Sequence, residues 1–426
     1  MDNAVTAPIR PGPFPWYRGW TMAMVGIVMV MLSIGSVTYG YSIYVAPVSD
    51  DLGLSREAIN GGIAVQHLGT ALLTPFVGRL LDRFKVSTIV MYASVALGGS
   101  LIALGIGDAL WPKALILFLP LSFGFQGAGT IASYVLMARW FRMHRGRAMA
   151  LVALGQSFGS VAFAPLLGMM IEAVGWRQSL LWQGLLVGGL LFVVSRLIVD
   201  HPQEGEAEPP GRSNATARST YNHSAEPIAL KSLLVRIEFW MMAATIALTL
   251  SVVQAMIASL VPMATGRDIA LVQATTLLSA LGISALAGKV VLAVIADRVD
   301  RALLVACAIA IILMVAVGLI FLDSYAGMVG MCLLGGMAMG GFFPLYSALI
   351  ADRFGPASLG TAEGLMSPLV AGSSAVAIWF AGRSFDATGD YGQTLAIFSG
   401  SLTLALLLAL LRRFVIADTP PGGVAT

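Results

Sequence analysis

The stretch that decides the fold is Gly78-Arg79-Leu80-Leu81-Asp82-Arg83-Phe84-Lys85. It holds four charged side chains in eight residues, and charge-free windows lie on both sides of it, at 58–78 and 86–107. A membrane-spanning helix requires about 20 residues with few or no charges. The stretch therefore predicts a short polar loop between two membrane helices.

The composition of the whole chain also indicates a membrane protein. Of the 426 residues, 58% are hydrophobic and only 11% are charged, against roughly 25% charged in ordinary soluble proteins. A soluble fold of this length has too little interior to bury so much apolar surface. The composition thus excludes a soluble enzyme and a disordered chain, and two cysteines are too few for a disulfide framework.

The gaps between charged residues form twelve apolar windows in a six-plus-six pattern. The first six are 19–49, 58–78, 86–107, 114–138, 148–171 and 178–195, and the second six are 239–266, 269–296, 302–322, 324–351, 354–382 and 391–411. The first window is too long for the apolar core of a signal peptide. We therefore predict an all-α membrane protein with 12 transmembrane helices in two six-helix, pseudo-symmetric bundles.

The distribution of charge predicts the domain boundaries and the orientation. We expect an N-terminal tail at 1–19, a first bundle at 20–199, a linker at 200–236, a second bundle at 237–415 and a C-terminal tail at 416–426. Of the 25 Lys and Arg residues, 19 fall in the segments that share one side with both termini. The positive-inside rule then places both termini in the cytoplasm, and we expect a multi-pass protein of a bacterial inner membrane.

The two halves resemble each other at a nearly constant offset. Asp82-Arg83 in the first half recurs as Asp297-Arg298 in the second, and Glu172-Ala173-Val174-Gly175 recurs as Asp386-Ala387-Thr388-Gly389 at almost the same spacing. A parallel repeat of six helices, with the substrate site between the halves near the bilayer midplane, is typical of one large class of secondary transporters.

Several motifs carry a resemblance to a known family. The 78–85 stretch resembles the helix 2–3 signature of the major facilitator superfamily, and 293–298 resembles a weaker copy of it. Within that superfamily the chain resembles the monocarboxylate transporters and their relatives, the oxalate–formate exchangers, in three segments: 16–20, 140–148 with Gly155 and Gly159, and 352–355 with Gly364, Gly382 and 385–391. The resemblance implies alternating-access transport of a small organic monocarboxylate, coupled to protons or to anion exchange.

Lys289 is the clearest functional candidate, because it lies inside an otherwise charge-free window. A charge near the bilayer centre costs roughly 2.5–3.5 kcal/mol on insertion scales, so its default interpretation is functional. The resemblance places Lys289 where the family has a substrate-binding arginine, and we predict that it binds the substrate carboxylate. The alternative is snorkelling toward the cytoplasm. Ala285 stands where the family often has an aspartate, so proton coupling through that pair is not available in the same form.

Polar and aromatic side chains in the windows are further candidates for the substrate site. They are His67, Tyr39, Tyr41, Gln126, Tyr134, Gln254, Phe342 and Tyr346. His67 and Glu363 are also candidates for proton coupling, since histidine titrates near neutral pH. A packing role is the alternative for His67, and solvation at a helix end or a latch role is the alternative for Glu363.

The resemblance also implies a conformational latch. In the family the acidic residue at Asp82, with Arg83 beside it, holds the halves together when the site faces outward. A carboxylate beside a helix N-terminus gains about 0.3–1 kcal/mol. Asp297, Arg298, Asp352 and Arg353 are candidates for a corresponding C-terminal latch. The alternative is that the basic residues only obey the inside rule.

Two other functions compete with carboxylate transport. One is an efflux pump for a hydrophobic drug or other small molecule, and the other is a membrane sensor or receptor with a transporter fold. A lone lysine favours an anionic substrate, and the short linker and tails argue against an appended signalling domain. We expect no enzyme activity, cofactor, metal or nucleic-acid partner. The expected partners are a small organic anion, protons or a counter-anion, and membrane lipid.

Overall fold

The computed structural model describes residues 17–107, 109–141, 143–202, 230–295, 299–354 and 359–417. All regular secondary structure in these ranges is helical. The first half contains α1 (Arg18–Ile34), α2 (Gly40–Leu52), α3 (Arg56–Arg83), α4 (Val86–Gly105), α5 (Leu110–Ile116), α6 (Ser122–Ala128), α7 (Thr130–Trp140) and α8 (Arg145–Leu197). The second half contains α9 (Leu230–Val235), α10 (Ile237–Thr265), α11 (Leu271–Ile295), α12 (Arg301–Phe321), α13 (Tyr325–Phe354), α14 (Leu359–Thr388) and α15 (Gly392–Ala417).

The helices follow the predicted apolar windows, so the all-α membrane fold is confirmed. Ten helical stretches in the described residues are long and apolar enough to cross a membrane. One of them is the 53-residue α8, which covers two predicted windows, and α3 is not among the ten. The count of twelve therefore stays a prediction. So do the domain boundaries, because 1–16, 203–229 and 418–426 lie outside the described residues.

Two glycines show the internal repeat in the backbone. Gly175 has φ 79° and bends α8 between its two predicted windows, and Gly389 has φ 80° between α14 and α15. Glycine adopts positive φ without the steric cost that a Cβ would bring. These two glycines occupy matching positions of the sequence repeat, so the repeat corresponds to equal turns in the two halves.

Glycines also bring helix backbones into contact within each half. A Cβ added at Gly155 would lie 2.4 Å from the Ile27 carbonyl oxygen, and one at Gly340 would lie 2.1 Å from the Ala285 carbonyl oxygen. The first contact joins α8 to α1, and the second joins α13 to α11. Small residues at such crossings are typical of membrane helices. Gly155 thus has a packing role at the crossing of α8 and α1.

The two halves form hydrogen bonds with each other at the ends of the helices away from the chain termini, which we call the distal face. Here the Val261 amide donates to the Ser42 hydroxyl at 3.4 Å, and the Asn60 side chain donates to the Ile378 carbonyl at 3.0 Å. The opposite end of α3, on the terminal face, leaves Asp82 and Arg83 exposed. The structure is thus closed at the distal face.

Candidate substrate site between the halves

Lys289 reaches from α11 across to the other half. Its Nζ donates to the Ala153 carbonyl oxygen at 2.9 Å and to the Ser157 hydroxyl at 3.2 Å, both on α8. An ammonium has three donors and no acceptor, and both of these partners are neutral. Within the described ranges, no carboxylate lies within ion-pair distance of Lys289. The site therefore holds a positive charge that is hydrogen-bonded but not neutralised.

Further polar side chains surround this contact. The buried Tyr39 hydroxyl interacts with the side chains of Ser160 and Gln156 on α8. Ser160 also donates to the Ser157 carbonyl at 2.9 Å, so it bonds to the residue whose hydroxyl binds Lys289. We call Lys289, Ser157, Ser160, Gln156 and Tyr39 the Lys289 cluster. The cluster connects α8 and α11 to the π-helical turn Gly35–Tyr39 that follows α1. Of the predicted substrate residues, it contains Lys289 and Tyr39.

Gly282 lets α11 approach the cluster closely. A Cβ there would lie 1.8 Å from the Ser160 hydroxyl oxygen. A Cβ at Gly282 would therefore displace the Ser160 hydroxyl, and it would also lie 3.1 Å from the Ser157 carbonyl oxygen.

Two further candidate residues, one on each half, interact electrostatically. Glu363 on α14 lies near enough to the Tyr134 hydroxyl on α7 to act on it electrostatically. Both side chains are half-buried. From the sequence, Glu363 is a candidate for proton coupling and Tyr134 is a candidate for the substrate site.

His67 and Gln126 form hydrogen bonds inside the first half. His67 Nδ1 donates to the Ile63 carbonyl of its own helix at 3.0 Å, because a carbonyl oxygen only accepts. The Gln126 amide donates to the Thr74 hydroxyl and so joins α6 to α3. Their contact with substrate, and proton coupling through His67, stay predictions.

Tyr41, Gln254, Phe342 and Tyr346 occupy other environments. The Tyr41 hydroxyl donates to the Ile59 carbonyl, and its ring lines an apolar chamber of about 560 Å³ inside the first half. Phe342 and Tyr346 are fully buried with ring centroids 5.8 Å apart, and the Tyr346 hydroxyl donates to the Met242 carbonyl. Gln254 is half-buried on α10. Each of the two tyrosine hydroxyls is thus bound to a carbonyl of its own half, and the substrate roles stay predictions.

The four latch candidates that the structure describes form no bond between the halves in this conformation. Asp82 and Arg83 make no ion pair or side-chain hydrogen bond in the described part of the chain, and Asp297 and Arg298 lie outside it. Asp352 pairs with Arg301 at 2.7 Å, and Arg353 pairs with Glu238 at 2.6 Å. These last pairs tie α13 to α12 and to α10 inside the second half. A latch role for all six residues stays a prediction.

The contacts that close the distal face were not predicted from the sequence. Asp386 on α14 accepts the Arg56 backbone N–H at 2.9 Å and the Glu57 backbone N–H at 2.7 Å, so it caps α3 from the other half. Arg383 lies 3.3 Å from the Glu57 carboxylate. The one available signal was the repeat that matches Asp386 with Glu172.

The Arg56 side chain adds a second connection at this face. Its guanidinium lies 3.7 Å from the centroid of the Phe385 ring and donates to the Tyr391 hydroxyl at 3.1 Å. It also donates to the Pro262 carbonyl at 3.3 Å. One side chain of the first half thus contacts two segments of the second half, around α14 and at the end of α10.

Comparisons with known proteins agree with this architecture. The family model described as Major Facilitator Superfamily matches residues 23–378. The chain is 25% identical over 180 residues to an oxalate:formate antiporter of Oxalobacter formigenes, covering 42% of each chain. It is 26% identical over 174 residues to monocarboxylate transporter 7 of Homo sapiens, covering 39% of this chain and 32% of that one. The chain thus spans about two-fifths or less of the length of these curated relatives.

The fold is similar to solved structures over nearly the whole chain. A bacterial homolog of the human lysosomal transporter Spinster, in an inward-facing and unoccupied conformation, matches with a TM-score of 0.71 and 13% identity. The match covers 97% of this chain and 100% of that one. At this identity the likeness shows the fold.

Proposed function

Since this chain belongs to the Major Facilitator Superfamily, and is therefore a multi-pass membrane transporter and not an enzyme, we propose that its substrate is a small organic monocarboxylate. The transport occurs by alternating access between the two halves. A cation or a neutral drug would find no complementary charge at Lys289. The relatives named for formate and for monocarboxylates support this class, and the oxalate in the first relative's name, a dicarboxylate, supports a small organic anion more generally.

The observation that carries the proposal is the state of Lys289. Its ammonium is half-buried among neutral groups, with no carboxylate of the described residues in ion-pair range. Attraction between opposite charges is much stronger in such low-dielectric surroundings than in water. A substrate carboxylate would supply the missing negative charge, and the Tyr39 hydroxyl and Gln156 amide supply hydrogen-bonding groups nearby.

The conformation fits one step of the cycle. With both termini in the cytoplasm of a bacterial inner membrane, as the charge distribution predicts, the closed distal face points outward. A closed outer face corresponds to the inward-facing step of alternating access, and the solved Spinster homolog of similar fold is itself described as inward-facing.

Anion exchange is the form of coupling that the site favours. Ala285 provides no acid beside Lys289, so the substrate-binding ammonium has no immediate neighbour among the described residues that takes up a proton. Proton coupling would instead act through Glu363, which faces Tyr134, or through His67. In exchange, a second anion replaces the first and keeps Lys289 neutralised while the halves move.

Two measurements test the proposal. The purified protein is screened for thermal stabilisation by formate, acetate, lactate and oxalate, beside a panel of cationic and neutral drugs, because a ligand that binds the folded state raises its melting temperature. Proteoliposomes are then loaded with or without an unlabelled acid that binds, and uptake of the radiolabelled acid is followed. We expect carboxylates to stabilise the protein and internal acid to accelerate uptake. Stabilisation by a drug and by no carboxylate would overturn the substrate class.

A further inference from the structure

The distal face contains two capping contacts that the internal repeat relates. The Glu172 carboxylate, near the end of the first arm of α8, accepts the Val272 backbone N–H at 3.2 Å. Asp386, near the end of α14, accepts the Glu57 backbone N–H at 2.7 Å. The repeat pairs the two carboxylates with each other, and it pairs the two amides at nearly the same offset. Val272 and Glu57 are each the second residue of their helix, so the contacts correspond in position as well as in chemistry.

Each contact joins one half to the other. The first backbone N–H groups of a helix have no partner within the helix, and a carboxylate placed there also interacts favourably with the helix dipole. Glu172 belongs to the first half and caps α11 of the second. Asp386 belongs to the second half and caps α3 of the first. Opening the distal face separates both acceptors from their donors.

The first turn of α3 shows how completely the cap depends on the other half. Ser55, the residue before the helix, accepts the Ala58 backbone N–H at 3.1 Å. The two remaining amides at the start of the helix, of Arg56 and Glu57, are bound by Asp386. Ser55 therefore satisfies the Ala58 amide. The hydrogen bonds of the Arg56 and Glu57 amides depend on contact between the halves.

The two caps differ in strength. Asp386 binds two amides with separate oxygens, and the Arg383–Glu57 pair and the Arg56–Phe385 contact lie beside it. Glu172 binds one amide with a longer bond. Hydrogen bonds to a charged acceptor are roughly twice as strong as neutral ones. The second amide bound by Asp386 therefore makes it the stronger of the two caps.

We propose that Asp386 and Glu172 are a repeat-related pair of cross-half caps that hold the distal face closed, with Asp386 as the dominant member. Because the caps exist only while the halves touch, they stabilise one conformation of the transport cycle relative to the other. A contact of this kind shifts the balance between conformations by its differential free energy in the two states. The inference stands independently of which substrate binds at Lys289.

Asp390 provides a matched control. Its carboxylate accepts the Gly392 backbone N–H at 2.8 Å, at the start of α15. It is a capping aspartate in the turn that follows Asp386, but both it and its partner belong to the second half. Its removal weakens a helix start and leaves the contact between the halves intact.

The experiment measures distances across the distal face in lipid nanodiscs. Spin labels are placed on Asp50→Cys and Gln393→Cys, two exposed positions on opposite halves, in protein carrying Cys307→Ser and Cys332→Ala. Double electron–electron resonance then gives the ratio of long to short distances in the parent and in Asp386→Asn, Glu172→Gln and Asp390→Asn. We expect Asp386→Asn to raise the ratio about fivefold or more, Glu172→Gln to raise it less, and Asp390→Asn to leave it unchanged.

Two outcomes would overturn the inference. One is a parent-like ratio in Asp386→Asn, and the other is an equal rise in Asp390→Asn. If Asp386→Asn fails to fold, Asp386→Ser, which keeps one small acceptor, replaces it and is compared with Asp390→Ser. An equal ratio in those two serine variants would reject the cap just as directly.

Discussion

The Lys289 ammonium lies 3.2 Å from the Ser157 hydroxyl, so the candidate substrate-binding cation also joins the two halves. An anion that binds Lys289 competes with this bond and with the bond to the Ala153 carbonyl. Substrate binding would then change the contacts between α11 and α8. A ligand moves a conformational equilibrium only through a difference in its interactions with the two states, and this competition provides such a difference.

Replacing Lys289 tests the substrate site directly. We expect Lys289→Gln to abolish carboxylate binding while folding and membrane insertion persist, because the charge complementary to the anion is gone. Lys289→Arg should keep part of the activity with altered selectivity, since a guanidinium is larger and planar and binds carboxylates in a bidentate fashion. Thermal-shift binding and radiolabelled uptake are measured on both variants. Full carboxylate affinity in Lys289→Gln would reject the assignment.

Ser157→Ala tests the competition between substrate and α8. The substitution removes one hydrogen bond that holds Lys289 in the empty site, and a bond to a charged group contributes roughly 1.5–3 kcal/mol. The remaining Ala153 carbonyl moderates the change, so we expect carboxylate affinity to rise by about threefold to tenfold. Ser195→Ala is the control, because the buried Ser195 hydroxyl bonds only to the Phe192 carbonyl of its own helix among the described residues. Weaker binding in Ser157→Ala would show instead that the hydroxyl contacts the substrate.

Asp82→Asn tests the latch on the terminal face. Asp82 is exposed here and makes no ion pair within the described ranges, as expected for a latch that forms only in the other conformation. The variant should therefore slow transport more than it weakens binding, since apparent affinity changes only through the fraction of binding-competent protein. Turnover in proteoliposomes is compared with the dissociation constant from thermal shifts. Unchanged turnover would remove the latch role.

The fold could be predicted from the sequence because membrane helices are limited by charge and length. The window at 86–107 corresponds to α4, Val86–Gly105, and the repeat located the turns at Gly175 and Gly389. Such features are local, or they recur along the chain. Each of these features therefore depends on the residues of its own stretch of sequence, or on a repeat that can be seen along the chain.

The contacts of individual site residues could be predicted only in part. Phe342 and Tyr346 are four residues apart, and this spacing is enough to place both rings on one face of a helix, where their centroids lie 5.8 Å apart. It could not show that the Tyr346 hydroxyl would meet the Met242 carbonyl, since that depends on how α13 packs against α10. The distal caps were missed for the same reason, because the Asp386 carboxylate and the Glu57 amide are far apart in the chain and meet only when the two halves pack together.

Close packing at Gly155 gives a further prediction. Gly155→Ala would place a Cβ within 2.4 Å of the Ile27 carbonyl oxygen, so α8 and α1 must separate. Overpacking of this kind costs about 1–3 kcal/mol, and we expect a clearly lower melting temperature. Gly189→Ala on the same helix is the control, because nothing lies within 4 Å of its added Cβ and alanine favours helix. Equal melting temperatures in the two variants would contradict the packing argument.

Variants of Arg353 and Arg301 distinguish an ion pair that is kept in both conformations from a latch that forms in only one. Arg353 donates to both Glu238 oxygens, at 2.9 and 2.6 Å, with side chains 26% and 17% exposed. The Arg301–Asp352 pair is more open to solvent, at 34% and 52%. Exposed pairs contribute about 0–1 kcal/mol, whereas loss of one partner of a shielded pair costs more. Arg353→Gln should therefore lower the melting temperature more than Arg301→Gln does.

The same two variants should leave the distal-face distances unchanged. Both ion pairs lie inside the second half, so they are retained when the halves move relative to each other, and their loss destabilises both conformations alike. The spin-label pair at Asp50→Cys and Gln393→Cys reports on this directly. If Arg353→Gln altered the ratio of long to short distances, the pair would favour one conformation over the other. Arg353 would then belong to a latch, as the chain's resemblance to the family implies. Its ion pair with Glu238 would not be a permanent connection between α13 and α10.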